Sequence, residues 1–317
     1  MRTLGNLDVS PVALGCWPIA GVTTLDVNDA DSIATIRSAL DHGVSFIDTA
    51  YCYGPQGESE NLIRRALDGR RDEAVIATKG GIHYNAAGKQ EQDARPETLL
   101  RECDESLQRL GTDRVELYYL HSPDPSVPVA ESAGAIRRLV ESGKTLAAGA
   151  SNCTLEQLKQ FHAACPLAAV QLPYNMLQRD IERETVPWCI SQNISVAVYW
   201  PLMKGLLAGK LDADKLDQRD SRRTYPQYQG EEWERNQAFV ARLREIAADA
   251  GRTVAQLVVN WTVHQPGITV ALCGAKRPWQ IEETAAAMGW QLAPEQTAAI
   301  EAAIAQRGPA AAKRLFK

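Results

Sequence analysis

Short apolar runs alternate along this chain with stretches whose apolar residues recur every three to four positions. Eight runs read as strands: Val12–Trp17, Val44–Asp48, Val75–Lys79, Val115–His121, Leu146–Ser151, Ala168–Leu172, Ser195–Tyr199 and Thr269–Cys273. Helical patterns lie between them. Asp31–His42 carries Ile33, Ile36 and Leu40 on one face and ends at Gly43, a suitable C-cap. Ser59–Leu67, Pro96–Leu110, Val129–Ser142, Leu155–Ala164 and Ile181–Gln192 follow, Pro96 suiting a first helical turn. Met203–Gly230 is longer and more polar than a plain connection, which marks it as a functional loop. Glu231–Ala250 and Val254–His264 precede the eighth strand, and Arg277–Met288 and Pro294–Gln306 close the chain.

This alternation is the signature of parallel βα units. Eight of them in 317 residues predict an α/β fold, a (β/α)8 TIM barrel, with an open doubly wound sheet as the alternative. "MRTLGN" running into "LDVSPVALG" predicts a short N-terminal β-hairpin, and the last helices exceed the eight-fold rhythm. No composition break or linker appears, so residues 1–317 are expected to form one domain.

Composition narrows the function classes. The chain is 45% hydrophobic, enough for a large core, and 34 basic against 39 acidic residues leave a net charge of −5. That balance argues against nucleic acid as a partner, and the terminal "KRLFK" is too short to act as a basic tail. Seven scattered cysteines with no CxxC pair read as reduced thiols rather than a disulfide framework. "MRTLGNLDVS" lacks the apolar core of a signal peptide, and no run reaches the 18 or so apolar residues of a membrane helix. A cytoplasmic protein with no membrane partner is expected.

In a barrel of this kind, active-site groups come from the C-terminal strand ends and the loops after them. Strand two ends in Asp48, strand three in Lys79 and strand four in His121. Strand five ends in Ser151–Asn152, strand six carries Gln171 and strand seven ends at Tyr199. A lone Lys or Asp at a strand end is commonly just the first solvated residue. An Asp, a Lys and a His ending three consecutive strands converge on one mouth. Asp beside Lys makes an ion pair, and Lys beside Tyr is expected to lower the phenol below its usual value near 10. A Tyr so tuned exchanges protons near neutral pH, and His121 can hydrogen-bond a substrate oxygen. Such a set suits polar addition to, or removal from, a carbonyl. HExxH, GxSxG and GxGxxG are all absent, and "ESGKT" (141–145) has Arg138 where a P-loop needs its first Gly. No metal site is expected, since three of the five histidines fall in helical stretches.

Several segments together resemble the aldo-keto reductase superfamily: "FIDTAYCYG…ESENLIRRAL", "ATKGG", "RLGTDRVELYYLHSPD", "GASN", "VQLPYN", "VYWPLMKGLLAGK" and "CGAKRPWQIEET". They run in order from about Leu14 to Glu283 and are most similar to the bacterial general NADPH-dependent members. The resemblance implies a barrel that binds NADPH and reduces aldehydes or ketones. It implies a tetrad of Asp48, Tyr53, Lys79 and His121, with Tyr53 as general acid, Lys79 lowering its pKa, Asp48 anchoring Lys79 and His121 orienting the carbonyl. It further implies that Ser151, Asn152 and Gln171 meet the nicotinamide carboxamide while Tyr199 stacks on the ring. Ser151–Asn152 also reads as a helix N-cap. Pro201, Leu202, Lys204, Gly205, Leu207 and Lys210 would form the loop over the pyrophosphate.

Gly274, Lys276, Arg277, Gln280 and Glu283 would reach the adenosine end. Lys276 and Arg277 open a helix, where cations oppose the dipole by about 0.3–1 kcal/mol. A bound phosphate reverses that cost, so they are expected to hold the 2′-phosphate and select NADPH over NADH. Trp17, Tyr51, His83, Tyr84 and Ser122 are expected at the substrate pocket, with a small-molecule carbonyl or alcohol as partner. Three positions depart from the family pattern: Ser122, Trp200 and Thr284. A nucleotide-binding regulatory subunit on the same barrel, as in potassium-channel β subunits, is the competing reading, and a metal-dependent barrel hydrolase a third. Substrate identity, reaction direction and oligomeric state are not encoded in these motifs.

Overall fold

The computed structural model describes residues 1–212 and 216–310. The "KRLFK" terminus and three residues of the long loop lie outside them. The eight barrel strands are β3 (Val12–Gly15), β4 (Phe46–Asp48), β5 (Val75–Gly80), β8 (Val115–Leu120), β9 (Thr145–Ser151), β10 (Ala169–Pro173), β11 (Ser195–Tyr199) and β12 (Ile268–Gly274). All neighbours are parallel, and β12 pairs with β3 to close the barrel, which excludes the open sheet. The predicted strands are all present, with ends shifted by no more than two residues.

Because side chains alternate across a strand, the run of inward positions fixes what fills the barrel. Ala13, Phe46, Ala77, Leu117, Tyr119, Ala147, Ala169, Ala197, Val270 and Leu272 form one buried cluster inside it. Leu4, Leu7 and Val9 join that cluster from the N-terminal hairpin, β1 (Arg2–Leu4) and β2 (Leu7–Val9). The hairpin touches Ser195 and Ala168 at the N-terminal ends of β11 and β10, so it plugs the bottom of the barrel. The outward positions, such as Leu14, Ile47, Ile76, Tyr118 and Val170, pack beneath the surrounding helices. Each fully buried aliphatic side chain contributes roughly 1.5–3 kcal/mol.

The helices are α1 (Asp29–Asp41), α2 (Glu58–Ala66), α3 (Pro96–Leu110), α4 (Val129–Glu141), α5 (Leu155–Ala164), α6 (Thr185–Ser191), α7 (Gly230–Asp249), α8 (Val254–Val263), α9 (Pro278–Ala285) and α10 (Pro294–Arg307). The expected helix Ile181–Gln192 splits into a 3-10 turn, Asp180–Glu182, and α6, with Pro187 inside the first turn of the latter. A second hairpin, β6 (Ile82–Tyr84) with β7 (Gln90–Gln92), was not expected; it follows β5 at the barrel's C-terminal rim. Among the described residues no helix is long and apolar enough to cross a membrane.

Candidate active site

Alternation along the strands also decides which polar groups meet. On β4 the inward positions are Phe46 and then Asp48. On β5 they are Ala77 and Lys79, and on β8 Leu117 and Tyr119, with His121 next. Ser151, Gln171 and Tyr199 continue the inner faces of β9, β10 and β11. Register aligns them: Asp48 pairs with Ala77, Lys79 with Tyr119 and Ser151 with Gln171. One layer above the apolar filling, the barrel therefore switches to a polar layer at its C-terminal mouth.

At its centre the Lys79 ammonium donates to Asp48 Oδ1 at 2.6 Å, to the Thr49 carbonyl at 2.7 Å and to the Tyr53 hydroxyl at 3.4 Å. Its three protons are thus matched by three acceptors, which a buried ammonium requires. Lys79 and Asp48 are both buried, at 0% and 3% exposure. Gln171 Nε2 donates to the other Asp48 oxygen at 2.7 Å. Burial raises the Asp48 carboxyl, and Lys79 and Gln171 oppose that rise. His121 lies edge-on to Tyr53, ring centroids 5.9 Å apart, and Trp17 is edge-on to its ring at 5.0 Å. Burial and the nearby Lys79 charge push His121 well below its usual value, so the imidazole is neutral.

One expectation changes here. Tyr53 is not tuned downward: burial, then the Asp48 charge, pushes its phenol well above 10. The larger cause is burial of the phenol, and the Asp48 carboxylate beside it adds to the rise. Gln171 keeps its amide nitrogen on Asp48.

Around this centre, Asn152 takes a left-handed backbone (φ 57°), a conformation Asn tolerates. Its side chain donates to the His121 carbonyl at 2.9 Å and accepts from the Tyr199 hydroxyl at 2.7 Å. Ser151 is buried beside it, and the helix-capping role falls instead to Thr154, which forms a capping box with Gln157. The pocket-wall expectations divide. Trp17 lies on Tyr53, Ser122 accepts from Gln92 of the mouth hairpin at 3.0 Å, and Tyr84 accepts from Gln90 of the same hairpin. Tyr51 turns away: its hydroxyl donates to Glu105 on α3 at 2.5 Å, with the Arg109 guanidinium over its ring. His83 is held between Glu102 (2.9 Å) and Glu91 (3.2 Å), away from the tetrad.

The loop after β11 is conformationally costly. Trp200, Met203 and Lys204 all have positive φ, which for non-glycine residues is uncommon. Pro201 and Leu207 are buried, and Leu202 packs against the helix-side core. Lys204 bonds the Tyr225 hydroxyl at 3.0 Å and sits against the Trp200 and Tyr225 rings rather than at a bare phosphate seat. Gly205 lies against Arg222, which pairs with Asp220. Lys210 bridges to Glu283 of α9 at 2.7 Å. Gly274 ends β12 hard against Pro18. Lys276 then donates to the Leu25 carbonyl at 2.6 Å, and Arg277 to the Asp26 carbonyl at 2.8 Å and Asp31 at 3.3 Å. Gln280 accepts from the Lys276 amide, and Thr284 bonds back into its own helix. The cations Lys276 and Arg277 are thus held mainly by neutral carbonyls, partners that an anion can displace. Lys276 and Arg277 sit at the N-terminal end of α9, a donor set that fits a phosphate-bearing cofactor. Among the described residues no group of three or more His, Cys, Asp or Glu gathers as a metal site.

Sequence reasoning missed the Thr49 carbonyl as an acceptor for Lys79, and Cys52, whose sulfur lies 3.5 Å from His121 Nδ1. A backbone carbonyl leaves no trace in sequence, and one cysteine in a turn carries no signal of its own.

Comparisons with known proteins bear on the family and the fold. The model of the aldo/keto reductase family matches residues 11–305. The chain is 36% identical over 296 residues to aldo-keto reductase YhdN of Bacillus subtilis, covering 92% of this chain and 88% of that one. It is 31% identical over 288 residues to probable aldo-keto reductase 1 of Glycine max, covering 90% and 83%. Among solved structures it superposes on the glycerol dehydrogenase AKR11B4 of Gluconobacter oxydans with a TM-score of 0.90 at 33% identity, covering 100% and 98% of the two chains. The holo form of aldo-keto reductase AKR11C1 from Bacillus halodurans gives 0.78 at 25% identity, covering 95% of each. With a family match across nearly its whole length, laid on a barrel that gathers Asp48, Tyr53, Lys79 and His121 at one mouth, the chain belongs to the aldo/keto reductase family, a family of carbonyl oxidoreductases.

Proposed function

We propose that this chain, acting as one domain in the cytoplasm, uses NADPH to reduce the carbonyl of a small aldehyde or ketone, reversibly with the alcohol. The observation that carries the reading is the Lys79 ammonium, bonded to Asp48 at 2.6 Å and to the Tyr53 hydroxyl at 3.4 Å, with His121 edge-on to that phenol. When bound, the nicotinamide supplies hydride to the carbonyl carbon. Tyr53 gives its phenol proton to the carbonyl oxygen, breaking its O–H bond as the new one forms. A phenol held above its usual value is protonated at neutral pH, ready to act as an acid. Lys79 steadies the negative charge left on Tyr53, Asp48 fixes Lys79 in place, and neutral His121 donates a hydrogen bond that orients the carbonyl.

Ser151, Asn152 and Tyr199 would border the nicotinamide. Lys210, Lys276 and Arg277 would meet the phosphates, Lys276 and Arg277 giving NADPH its advantage over NADH. That one structural relative is a glycerol dehydrogenase supports small, polar alcohols and their carbonyls as the substrate class. The purified protein is expected to oxidise NADPH in the presence of 4-nitrobenzaldehyde, followed by loss of nicotinamide absorbance. Tight NADPH binding with no turnover across a panel of aldehydes, ketones and polyols would favour a regulatory nucleotide-binding role instead.

A further inference from the structure

His121 is pinned at its backbone on both sides. Its N–H donates to the Gly80 carbonyl at 2.8 Å, and its carbonyl accepts from Asn152 at 2.9 Å. What the backbone leaves undecided is which ring nitrogen bears the proton of the neutral imidazole. That choice matters, because only a protonated nitrogen can donate to a carbonyl oxygen; the other tautomer would set a lone pair against it. The group beside Nδ1 is Cys52 Sγ at 3.5 Å. Among the described residues this is the one hydrogen bond the His121 ring makes, and Nε2 has no protein partner. Cys52 itself is 2% exposed. Its carbonyl accepts from the Gly54 amide at 2.9 Å and from Gln90 of the mouth hairpin at 3.4 Å, so the thiol is fixed on a short, braced turn.

Resting on the reading of His121 as the carbonyl-orienting group, we propose that Cys52 is a positioning residue: its S–H donates to His121 Nδ1 and so keeps the ring proton on Nε2, the nitrogen left for the substrate oxygen. Sulfur is a poor acceptor, whereas an imidazole lone pair is a good one, so S–H to N is the better use of this contact than N–H to S. Burial raises the thiol to about 12, so the proton stays on sulfur across the working range of pH. A residue supplying the second nitrogen's partner is the device by which proteins select a histidine tautomer.

The test needs no ligand. Protein labelled with 15N-histidine is examined by long-range 1H–15N correlation, which reports the protonated nitrogen of His121. Wild type and Cys52→Ser are expected to show the Nε2–H form, because serine keeps a donor at that position. Cys52→Ala is expected to shift toward a mixture or toward Nδ1–H. In turnover with an aldehyde, Cys52→Ala should lose about tenfold in kcat/KM with NADPH affinity unchanged, and Cys52→Ser should recover most of the loss. An Nδ1–H tautomer in the wild type, or the same Nε2–H form in wild type and Cys52→Ala, would overturn the proposal. The wild-type spectrum decides even where a variant folds poorly. If the tautomer behaves as expected but no carbonyl is turned over, the functional reading fails and the Cys52 contact stands.

Discussion

At the scale of single residues, the site rests on one buried ion pair whose members cannot be removed singly without harm. Lys79→Met would strand the Asp48 carboxylate, and breaking a buried pair typically costs about 3–5 kcal/mol. Denaturant unfolding should register that loss, and Asp48→Asn added to Lys79→Met should recover a large part of it, giving a clear coupling energy. The protonation states give a second expectation. Neutral His121 does not titrate near 6.5, and Tyr53 keeps its proton above pH 10. So kcat/KM for reduction should be flat between about pH 6 and 9, and a break near 6.5 in the pH profile would contradict it. The polar residues at the strand ends were readable in the sequence because alternation places them. The direction of the Tyr53 shift was not, since it depends on how deeply the phenol is covered and on how close the Asp48 charge lies. The turn of Tyr51 toward Glu105 and of His83 toward Glu102 likewise depends on where α3 lies, which no local pattern states.

At the scale of elements, two pieces of packing position the mouth. Gly149 on β9 pairs with Tyr119 on β8, and a Cβ there would fall 2.3 Å from the Tyr119 ring. Gly149→Ala should therefore destabilise by about 1–3 kcal/mol through overpacking, measurable as a lower midpoint in urea. The mouth hairpin β6–β7 is fastened at its base by buried Glu102, which accepts from the Gly81 amide at 2.7 Å and bonds His83. Burial raises Glu102 from 4.5 to about 7. A carboxyl raised on folding contributes stability below pH 4.5 that is lost as pH rises through 7. Glu102→Gln cannot ionise, so its melting temperature relative to wild type should climb between pH 5 and 7; a constant difference would mean Glu102 does not titrate there. The hairpin escaped prediction because "IHYNAAGKQEQ" shows no two-residue alternation of apolar and polar positions, being held by backbone pairing and polar side chains. The barrel strands, by contrast, were legible because both their faces are buried and their apolar runs are continuous.

At the scale of the whole molecule, the barrel brings together what lies far apart in sequence. Asp48, Lys79, His121 and Gln171 span more than a hundred residues yet share one layer, and the closing pair of β12 with β3 carries Lys276 and Arg277 round to the residue 25–31 segment. That joining follows from the count of βα units and was legible. The anchorage of these two cations on loop carbonyls was not, because it depends on the path of an irregular segment. Replacing Lys276 and Arg277 with Ala should weaken NADPH binding by at least tenfold while leaving NADH nearly unchanged, since each charge-assisted phosphate contact contributes about 1.5–3 kcal/mol. Titration calorimetry with both nucleotides measures this directly, and an equal loss for both would remove the 2′-phosphate assignment.

The central claim is that Tyr53 is the acid of carbonyl reduction, held beside Lys79 for that purpose. It is tested most directly by Tyr53→Phe, which removes one oxygen and keeps the ring packed against Trp17. NADPH binding should be preserved, while aldehyde-dependent NADPH oxidation should fall by about 10²- to 10⁴-fold, the usual worth of a positioned general acid. Turnover in Tyr53→Phe equal to that of the wild type would contradict it.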